Sequence, residues 1–182
     1  MVKQDNQFDV IVIGGGHAGA EAANAAAKLG VHVGLMTMSK DSIAAMSCNP
    51  AIGGQGKGQI VREIDAMGGL MGLAIDKAGI QFKVLNRRKG PAVWGPRAQA
   101  DKWLYKAVVQ EMISEIDNIT IIEDTAKEIN APNNIITGVL GNSGTGYCAP
   151  IVILTTGTFM KGLMHVGTEQ REGGRINEPA AV

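Results

Sequence analysis

The sequence predicts a doubly wound α/β fold, and three features support this prediction. Four consecutive apolar residues, Val10–Ile13, are typical of a parallel strand buried on both faces. The glycine pattern Gly14-x-Gly16-x-x-Gly19 follows directly and leads into an alanine-rich stretch. Another continuous apolar run, Ile151–Leu154, comes late in the chain. Strands that alternate with helices in this way indicate a parallel sheet covered by helices.

Each glycine of the pattern has its own steric reason. Gly14 lets the chain turn off the strand, Gly16 lets a pyrophosphate approach the backbone, and Gly19 lets the helix pack closely on the strand. The helix N-terminus would offer free N–H groups and the positive end of its dipole to the phosphates. A tight turn without a ligand is the alternative, and the position between strand and helix disfavours it.

Composition restricts the classes of function. The chain has 182 residues with 17 basic and 17 acidic side chains, so a nucleic-acid partner must be met by a local patch. No apolar run reaches the roughly 18 residues of a membrane span, and the first residues lack an apolar signal segment. Two cysteines, Cys48 and Cys148, argue against a disulfide framework. We therefore expect a cytoplasmic protein with no membrane partner and no metal site.

The first half of the chain can be assigned in order. The first helix is predicted at 18–29 and the second strand at 31–37. No acid stands at the end of that strand, where such folds usually hold the ribose, and Asp41 comes a few residues late. The glycine-rich stretch 39–58 is interpreted as a cofactor and active-site loop. Helices are predicted to follow at 59–67 and 70–78.

The second half begins with a basic segment, 80–105, predicted to hold a short strand and the start of a helix at 97–116. A strand at 119–123, a hairpin with turns near Asn133 and Ser143, and the strand Ile151–Leu154 follow. The glycine turn after that last strand would approach the cofactor. Residues 161–182 show no periodicity and end without a closing element, so we expect a chain cut from a longer one.

Several motifs are similar to those of the MnmG (GidA) family. The most specific are GGGHAGAEAA at 14–23 and MSCNPAIGG at 46–54. Further matches are KG at 57–58, VREIDA at 61–66, KGPAV at 89–93, RAQAD at 97–101 and TGTF at 156–159. The resemblance covers essentially the whole chain, whereas family members are several hundred residues longer. It implies the N-terminal part, 1–182, of a glutathione-reductase-type FAD-binding domain, incomplete at its C-terminus, without the NADH-binding region or the C-terminal helical domain.

The resemblance implies an enzyme that modifies the wobble uridine, position 34, of tRNA. It would add an aminomethyl or carboxymethylaminomethyl group at C5 together with the GTPase MnmE, using FAD, NADH and methylene-tetrahydrofolate. The whole protein is expected to be a homodimer that forms a heterotetramer with MnmE. The implied catalytic residue is Cys48. The implied cofactor contacts are Gly14, Gly15, Gly16, His17, Ala18, Gly19, Ala126, Thr156, Gly157 and Ala181. The candidates for substrate or phosphate binding are Lys57, Lys89, Arg97 and Lys102.

Alternatives remain open at this stage. Cys48 could be a buried structural thiol, which is how we interpret Cys148, and the basic side chains could form a solvated face. His17 is expected to shape the loop rather than act as an acid. The competing functions are a generic NADH-linked flavin oxidoreductase or a folate- and FAD-dependent tRNA methyltransferase. A non-catalytic module that binds FAD or tRNA is the alternative of another class.

Overall fold

The computed structural model describes residues 6–46, 49–157, 160 and 163–172 of the chain. Within these residues the helices are α1 His17–Lys28, α2 Lys57–Ala66, α3 Leu70–Ala78 and α4 Lys102–Ser114. The strands are β1 Val10–Ile13, β2 Val33–Thr37, β3 Ala51–Gly53, β4 Gly79–Leu85, β5 Gly95–Ala100, β6 Ile119–Glu123, β7 Ala126–Asn130, β8 Gly138–Gly141, β9 Gly146–Cys148, β10 Ile151–Leu154, β11 Leu163–Val166 and β12 Glu169–Glu172.

The central sheet has the strand order β10-β1-β2-β6, and all its pairings are parallel. Helix α1 connects β1 to β2, and strand order reverses beside β1, with β2 on one side and β10 on the other. This is the arrangement of a doubly wound nucleotide-binding sheet, so the predicted fold class is confirmed. The carboxyl ends of the parallel strands lie at one edge, where such folds bind their ligands.

Strand β1 is buried on both faces, as its apolar sequence predicts. Val10 and Val12 pack into a core cluster with Leu35, and that cluster also contains residues of all the described helices. Ile11 and Ile13 pack into a second cluster on the opposite face, with Phe8 among its members. A continuous apolar run is therefore required here because neither face of the strand meets water.

Two insertions interrupt the parallel sheet. The first lies between β2 and β6 and holds helices α2 to α4 together with an antiparallel sheet of order β3-β5-β4. The second lies between β6 and β10 and is the antiparallel meander β7-β8-β9. The hairpin turns predicted near Asn133 and Ser143 are confirmed, since they connect β7 to β8 and β8 to β9.

One expectation from the sequence is wrong. The helix predicted to begin at residue 97 begins at Lys102, because the carboxylate of Asp101 accepts hydrogen bonds from the backbone N–H groups of Trp103 and Leu104 at 2.9 and 3.0 Å. The preceding residues form the middle strand of the antiparallel sheet instead. Within 161–182, where the sequence shows no periodicity, Leu163–Val166 pairs with Glu169–Glu172 as an antiparallel hairpin. No helix in the described part of the chain is long and apolar enough to cross a membrane.

A buried carboxylate joins α1 to α3. Glu21 accepts hydrogen bonds from the backbone N–H groups of Leu70, at 3.0 Å, and Met71, at 2.7 Å. These N–H groups belong to the first turn of α3, whose N-cap, Gly69, supplies no side chain. Because the carboxylate is buried, both donors depend on it for their hydrogen bonds.

We expect the Glu21→Gln substitution to lower the free energy of unfolding by about 1–3 kcal/mol. Gln presents an N–H₂ group to one of the two N–H donors of α3, and a buried donor is then left without an acceptor. Urea unfolding followed by circular dichroism measures the loss. Glu63→Gln is the matched control, since the Glu63 side chain is exposed on α2. Equal midpoints for the two variants would show that the capping contact contributes nothing.

Candidate functional site

A cleft of about 570 Å³ lies at the carboxyl ends of the parallel strands. It is walled by the residues that follow β1, β2, β6 and β10, so four separate strand ends converge on it. Its described lining consists of Ile13, Gly14, Gly15, Gly16, His17, Ala18, Met36, Thr37, Met38, Ser39, Ser42, Ala45, residues 124–129, and Leu154, Thr155, Thr156, Gly157 and Met160. This position at the reversal of strand order is where doubly wound sheets hold nucleotides.

Two glycines of the turn are required by the protein's own packing. Gly14 has φ +109°, and a Cβ there would overlap the carbonyl oxygen of Thr155. A Cβ at Gly19 would overlap the carbonyl oxygen of Gly14 and lie 2.7 Å from the Thr155 hydroxyl. The roles predicted for both glycines, a sharp turn and close helix packing, are therefore confirmed.

Gly16 is different, because none of the described residues requires a glycine there. Its φ is −69°, which any residue adopts, and no described atom lies within 4 Å of the place a Cβ would take. It is the N-cap of α1, it provides no side-chain hydrogen bond, and the first turn carries no acid. The space above Gly16 and the unsatisfied N–H groups of the helix end therefore suit an anion such as a pyrophosphate.

Thr155 ties the glycine turn to β10, a role that the sequence analysis missed. Its hydroxyl donates to the carbonyl oxygens of Ile13, at 2.8 Å, and Gly14, at 3.0 Å. Its backbone N–H donates to the Ile13 oxygen at 2.8 Å. Thr156 and Gly157 follow directly and line the cleft, which is where the sequence analysis expected them.

The wall that follows β2 carries hydroxyl groups in place of the usual acid. Ser39 and Ser42 line the cleft, and the Ser42 hydroxyl donates to the Ser39 carbonyl oxygen at 2.7 Å. The buried Thr37 hydroxyl donates to the same oxygen at 3.2 Å. Asp41 lies outside the lining, and its backbone N–H donates to the Ser39 hydroxyl at 3.3 Å. A ribose on this side would therefore meet neutral hydroxyl groups.

The opposite wall is held by Asp124, a second residue that the sequence analysis missed. Its carboxylate accepts from the Ser143 hydroxyl at 2.5 Å, from the Thr125 N–H at 2.8 Å and from the Tyr147 hydroxyl at 3.2 Å. Burial acts to raise the pKa of Asp124, but these hydrogen bonds outweigh it and the pKa lies below its ordinary value. Asp124 thereby fixes the meander beside Ala126, which begins β7 and lines the cleft.

His17 is the first residue of α1 and lines the cleft. Its ring lies 5.5 Å, centroid to centroid, from the ring of Tyr105, which is fully buried. Burial, and then the charge of Glu21, raise the pKa of the Tyr105 hydroxyl, so this tyrosine stays neutral. Ala18 is exposed at the cleft, whereas Gly15 is buried against Thr37.

Two of the four candidate phosphate ligands influence each other electrostatically. Desolvation, and then the positive charge of Arg97, lower the pKa of Lys57. The Lys57 ammonium donates to the Ala51 carbonyl oxygen at 3.4 Å, and Arg97 donates to the Asn49 side-chain oxygen at 3.2 Å. The remaining two lie on other elements: Lys89 ends the 3₁₀ helix Arg87–Lys89, and Lys102 begins α4 with its ammonium 4.6 Å from the Trp103 ring centroid.

Two predicted site residues, Cys48 and Ala181, lie outside the described residues. Two glycines of the predicted loop are required by the protein's own packing. A Cβ at Gly53 would overlap the carbonyl oxygen of Pro96, and a Cβ at Gly58 would lie 2.6 Å from the same oxygen. These glycines let β3 and α2 approach β5, so their role is in packing.

The fold and this cleft define a dinucleotide-binding α/β protein. The family model described as glucose inhibited division protein A matches residues 9–182. The chain therefore belongs to the GidA family, and the resemblance stated from its motifs is confirmed.

Curated relatives and solved structures agree with this assignment. The chain is 53% identical over 177 residues to the tRNA uridine 5-carboxymethylaminomethyl modification enzyme MnmG of Salinibacter ruber, covering 96% of this chain and 27% of that protein. It is 51% identical to the enzyme of the same name from Phocaeicola vulgatus, of which it covers 28%. The form II crystal structure of Aquifex aeolicus GidA matches with a TM-score of 0.94 and 49% identity, over all of this chain and 30% of that one. The chain thus spans between a quarter and a third of the length of these relatives.

Proposed function

We propose that the cleft binds FAD, with the pyrophosphate at the N-terminus of α1. The observation that carries this proposal is Gly16, whose missing side chain leaves space that nothing in the described protein uses. The turn formed by Gly14, Gly15 and Gly19 supports the placement, since packing against Thr155 and Thr37 fixes the N–H groups before a ligand arrives. Ala18, Ala126, Thr156 and Gly157 would complete the contacts from the surrounding walls.

We infer that the activity served by this cofactor is modification of the wobble uridine of tRNA. The support is the name that the curated relatives carry, together with the family assignment. FAD would supply two-electron redox chemistry, while NADH and a methylene-tetrahydrofolate are the proposed reductant and carbon source. The proposed assembly is a homodimer that joins the GTPase MnmE in the cytoplasm. The product would carry an aminomethyl or carboxymethylaminomethyl group at C5 of uridine 34.

Within this proposal, the segment 39–58 is the active-site loop and 80–105 is a basic segment that meets the substrate. Arg97 supports the first assignment, because it holds Asn49 in the loop by a hydrogen bond of 3.2 Å. Cationic groups near a cysteine favour the thiolate, so Lys57 and Arg97 would help to activate Cys48. Lys89 and Lys102 are proposed to contact phosphates of the tRNA, where their flexible stems can reach the backbone.

We expect the purified 182-residue chain to bind FAD weakly and to show a flavin absorption doublet when FAD is added. We also expect it to oxidise no NADH, because it spans 27% of the Salinibacter ruber relative and the NADH region is assigned to the remainder. Equilibrium dialysis and absorbance at the NADH band measure the two quantities. A chain that leaves the FAD spectrum unchanged at saturating protein would refute the cofactor proposal. Sustained NADH oxidation by this chain would refute the assignment of the NADH region to the remainder of the longer protein.

A further inference from the structure

One face of the antiparallel sheet β3-β5-β4 concentrates cationic and amide side chains. Side chains alternate between the faces of a strand, and residues paired across an antiparallel ladder share a face. Lys83 pairs with Arg97, and Gln81 pairs with Gln99 two residues along the same strands. These residues, with Ala51 and Gly53 of β3, form what we term the cationic sheet face.

The pairing of Lys83 with Arg97 is unfavourable in the protein alone. Like charges directly opposite each other on a sheet destabilise it. Among the described residues no carboxylate forms an ion pair with either cation, and Arg97 donates a hydrogen bond to the neutral side chain of Asn49. Arg97 also acts on Lys57. Desolvation is the larger cause of the lowered pKa of Lys57, and the positive charge of Arg97 is the second. Three positive charges are therefore grouped here, and the carboxylates of Asp65 and Asp76, which line the same cavity as Lys83 and Arg97, form no described ion pair with them.

Packing does not explain these cations, because the sheet is anchored through its other face. Ala98 and Ala100 alternate with Arg97 and Gln99 along β5, and both alanines are buried in the main core. On the cationic sheet face, Gln81 and Lys83 are exposed. The β3 positions on this face carry only Ala51 and Gly53, so no long side chain of that strand covers it.

We propose that the cationic sheet face binds the sugar–phosphate backbone of the RNA substrate, and this inference rests on the proposed function. Lys83, Arg97 and Lys57 would neutralise phosphates, and Gln81 and Gln99 would hydrogen-bond to ribose hydroxyls or base edges. An anion bound here relieves the repulsion between the two opposed cations. The chain has no net charge, so RNA must be held by a local concentration of positive charge such as this one.

The same positive charges are separate from the described lining of the cleft proposed for the flavin. The cleft that holds the glycine turn is lined by other residues, and Lys57, Lys83 and Arg97 lie outside its lining. The six residues of the cationic sheet face carry amide and cationic groups and include no aromatic side chain. Such a face suits contact with the sugar–phosphate backbone of a nucleic acid rather than stacking of its bases. The occupant is therefore a polyanion that carries hydrogen-bonding groups beside its phosphates.

The experiment measures binding of fluorescently labelled, unmodified tRNA to the 182-residue chain by anisotropy across a salt series. We expect Lys83→Gln to weaken binding about five- to tenfold at low salt. The slope of log affinity against log salt should become shallower by about 0.7–0.9, the value for one phosphate contact. The melting temperature of the free variant should equal or exceed that of the wild type, since the opposed charges are gone. Lys83→Arg should retain binding and slope.

Lys77→Gln is the matched control, because Lys77 is exposed in the last turn of α3 and lies outside the cationic sheet face. Unchanged affinity and slope in Lys83→Gln, with a wild type that binds, would overturn this inference and leave the proposed function standing. A selective loss of FAD binding in Lys83→Gln would instead assign the charge of Lys83 to the flavin, and this result would also overturn the inference. Absence of tRNA binding by the wild type would overturn both proposals for this chain.

Discussion

The Gly16→Val variant is expected to fold like the wild type and to lose FAD. Its backbone φ of −69° is accessible to valine, and no described atom lies within 4 Å of the position that a Cβ takes. The described part of the protein therefore has room for the side chain, and the melting temperature should change little. The isopropyl group fills the space proposed for the pyrophosphate, so we expect FAD affinity to fall at least about a hundredfold, or roughly 3 kcal/mol.

Gly146→Val provides a matched control for this prediction. Gly146 begins β9, away from the cleft, and a Cβ there also meets no atom within 4 Å. Titration of each variant with FAD, followed by flavin fluorescence, separates the effect of the side chain from the effect of its position. Retention of FAD by Gly16→Val at wild-type affinity would show that the open space above the turn serves no phosphate.

The parts of the fold that the sequence predicts well are those encoded by local pattern. Strand β1 follows from four apolar residues in succession, and the helix after the glycines follows from alanine content. The identity of the cleft follows from the same stretch, because the turn, the helix end and the strand lie within ten residues. Each of these signals is complete within a short window of the chain.

Strand β5 shows why prediction fails elsewhere. Its residues 97–100 read Arg-Ala-Gln-Ala, which are strong helix formers, and the sequence analysis placed them in a helix. In the structure they pair with Ala51–Gly53, about 45 residues earlier, and with β4. Only Asp101 gives a local sign of the helix boundary, through its capping hydrogen bonds.

Residues that act between distant segments were missed for the same reason. Glu21 lies within the recognised family motif, but its hydrogen bonds run to Leu70 and Met71. Thr155 secures Gly14, about 140 residues away, and Asp124 secures the turn at Ser143. Each is a short polar residue whose partner is fixed by tertiary structure, so no spacing in the sequence marks it. The sequence analysis recognised that no acid follows β2. It did not identify the hydroxyl groups of Ser39 and Ser42 that line the cleft in its place.

We expect Cys48→Ser to abolish uridine modification while FAD and tRNA binding change by less than about twofold. Uracil C5 becomes nucleophilic once a group adds to C6, and a thiolate is the side chain best suited to that addition near neutral pH. Serine keeps the size of the side chain but remains protonated, so loss of a nucleophile should lower the rate by about a thousandfold or more. Loss of a structural thiol would instead lower stability with little effect on rate.

The assay uses a chimaera in which residues 9–182 replace the matching part of the Salinibacter ruber relative, with which the chain is 53% identical. Unmodified tRNA, the GTPase partner, NADH and a methylene-tetrahydrofolate are supplied, and nucleosides are quantified by mass spectrometry. Cys148→Ser is the control, because Cys148 is a half-buried free thiol in β9. If Cys48→Ser and Cys148→Ser both modify tRNA at the parent rate, Cys48 is a packing residue and another group must add to the base.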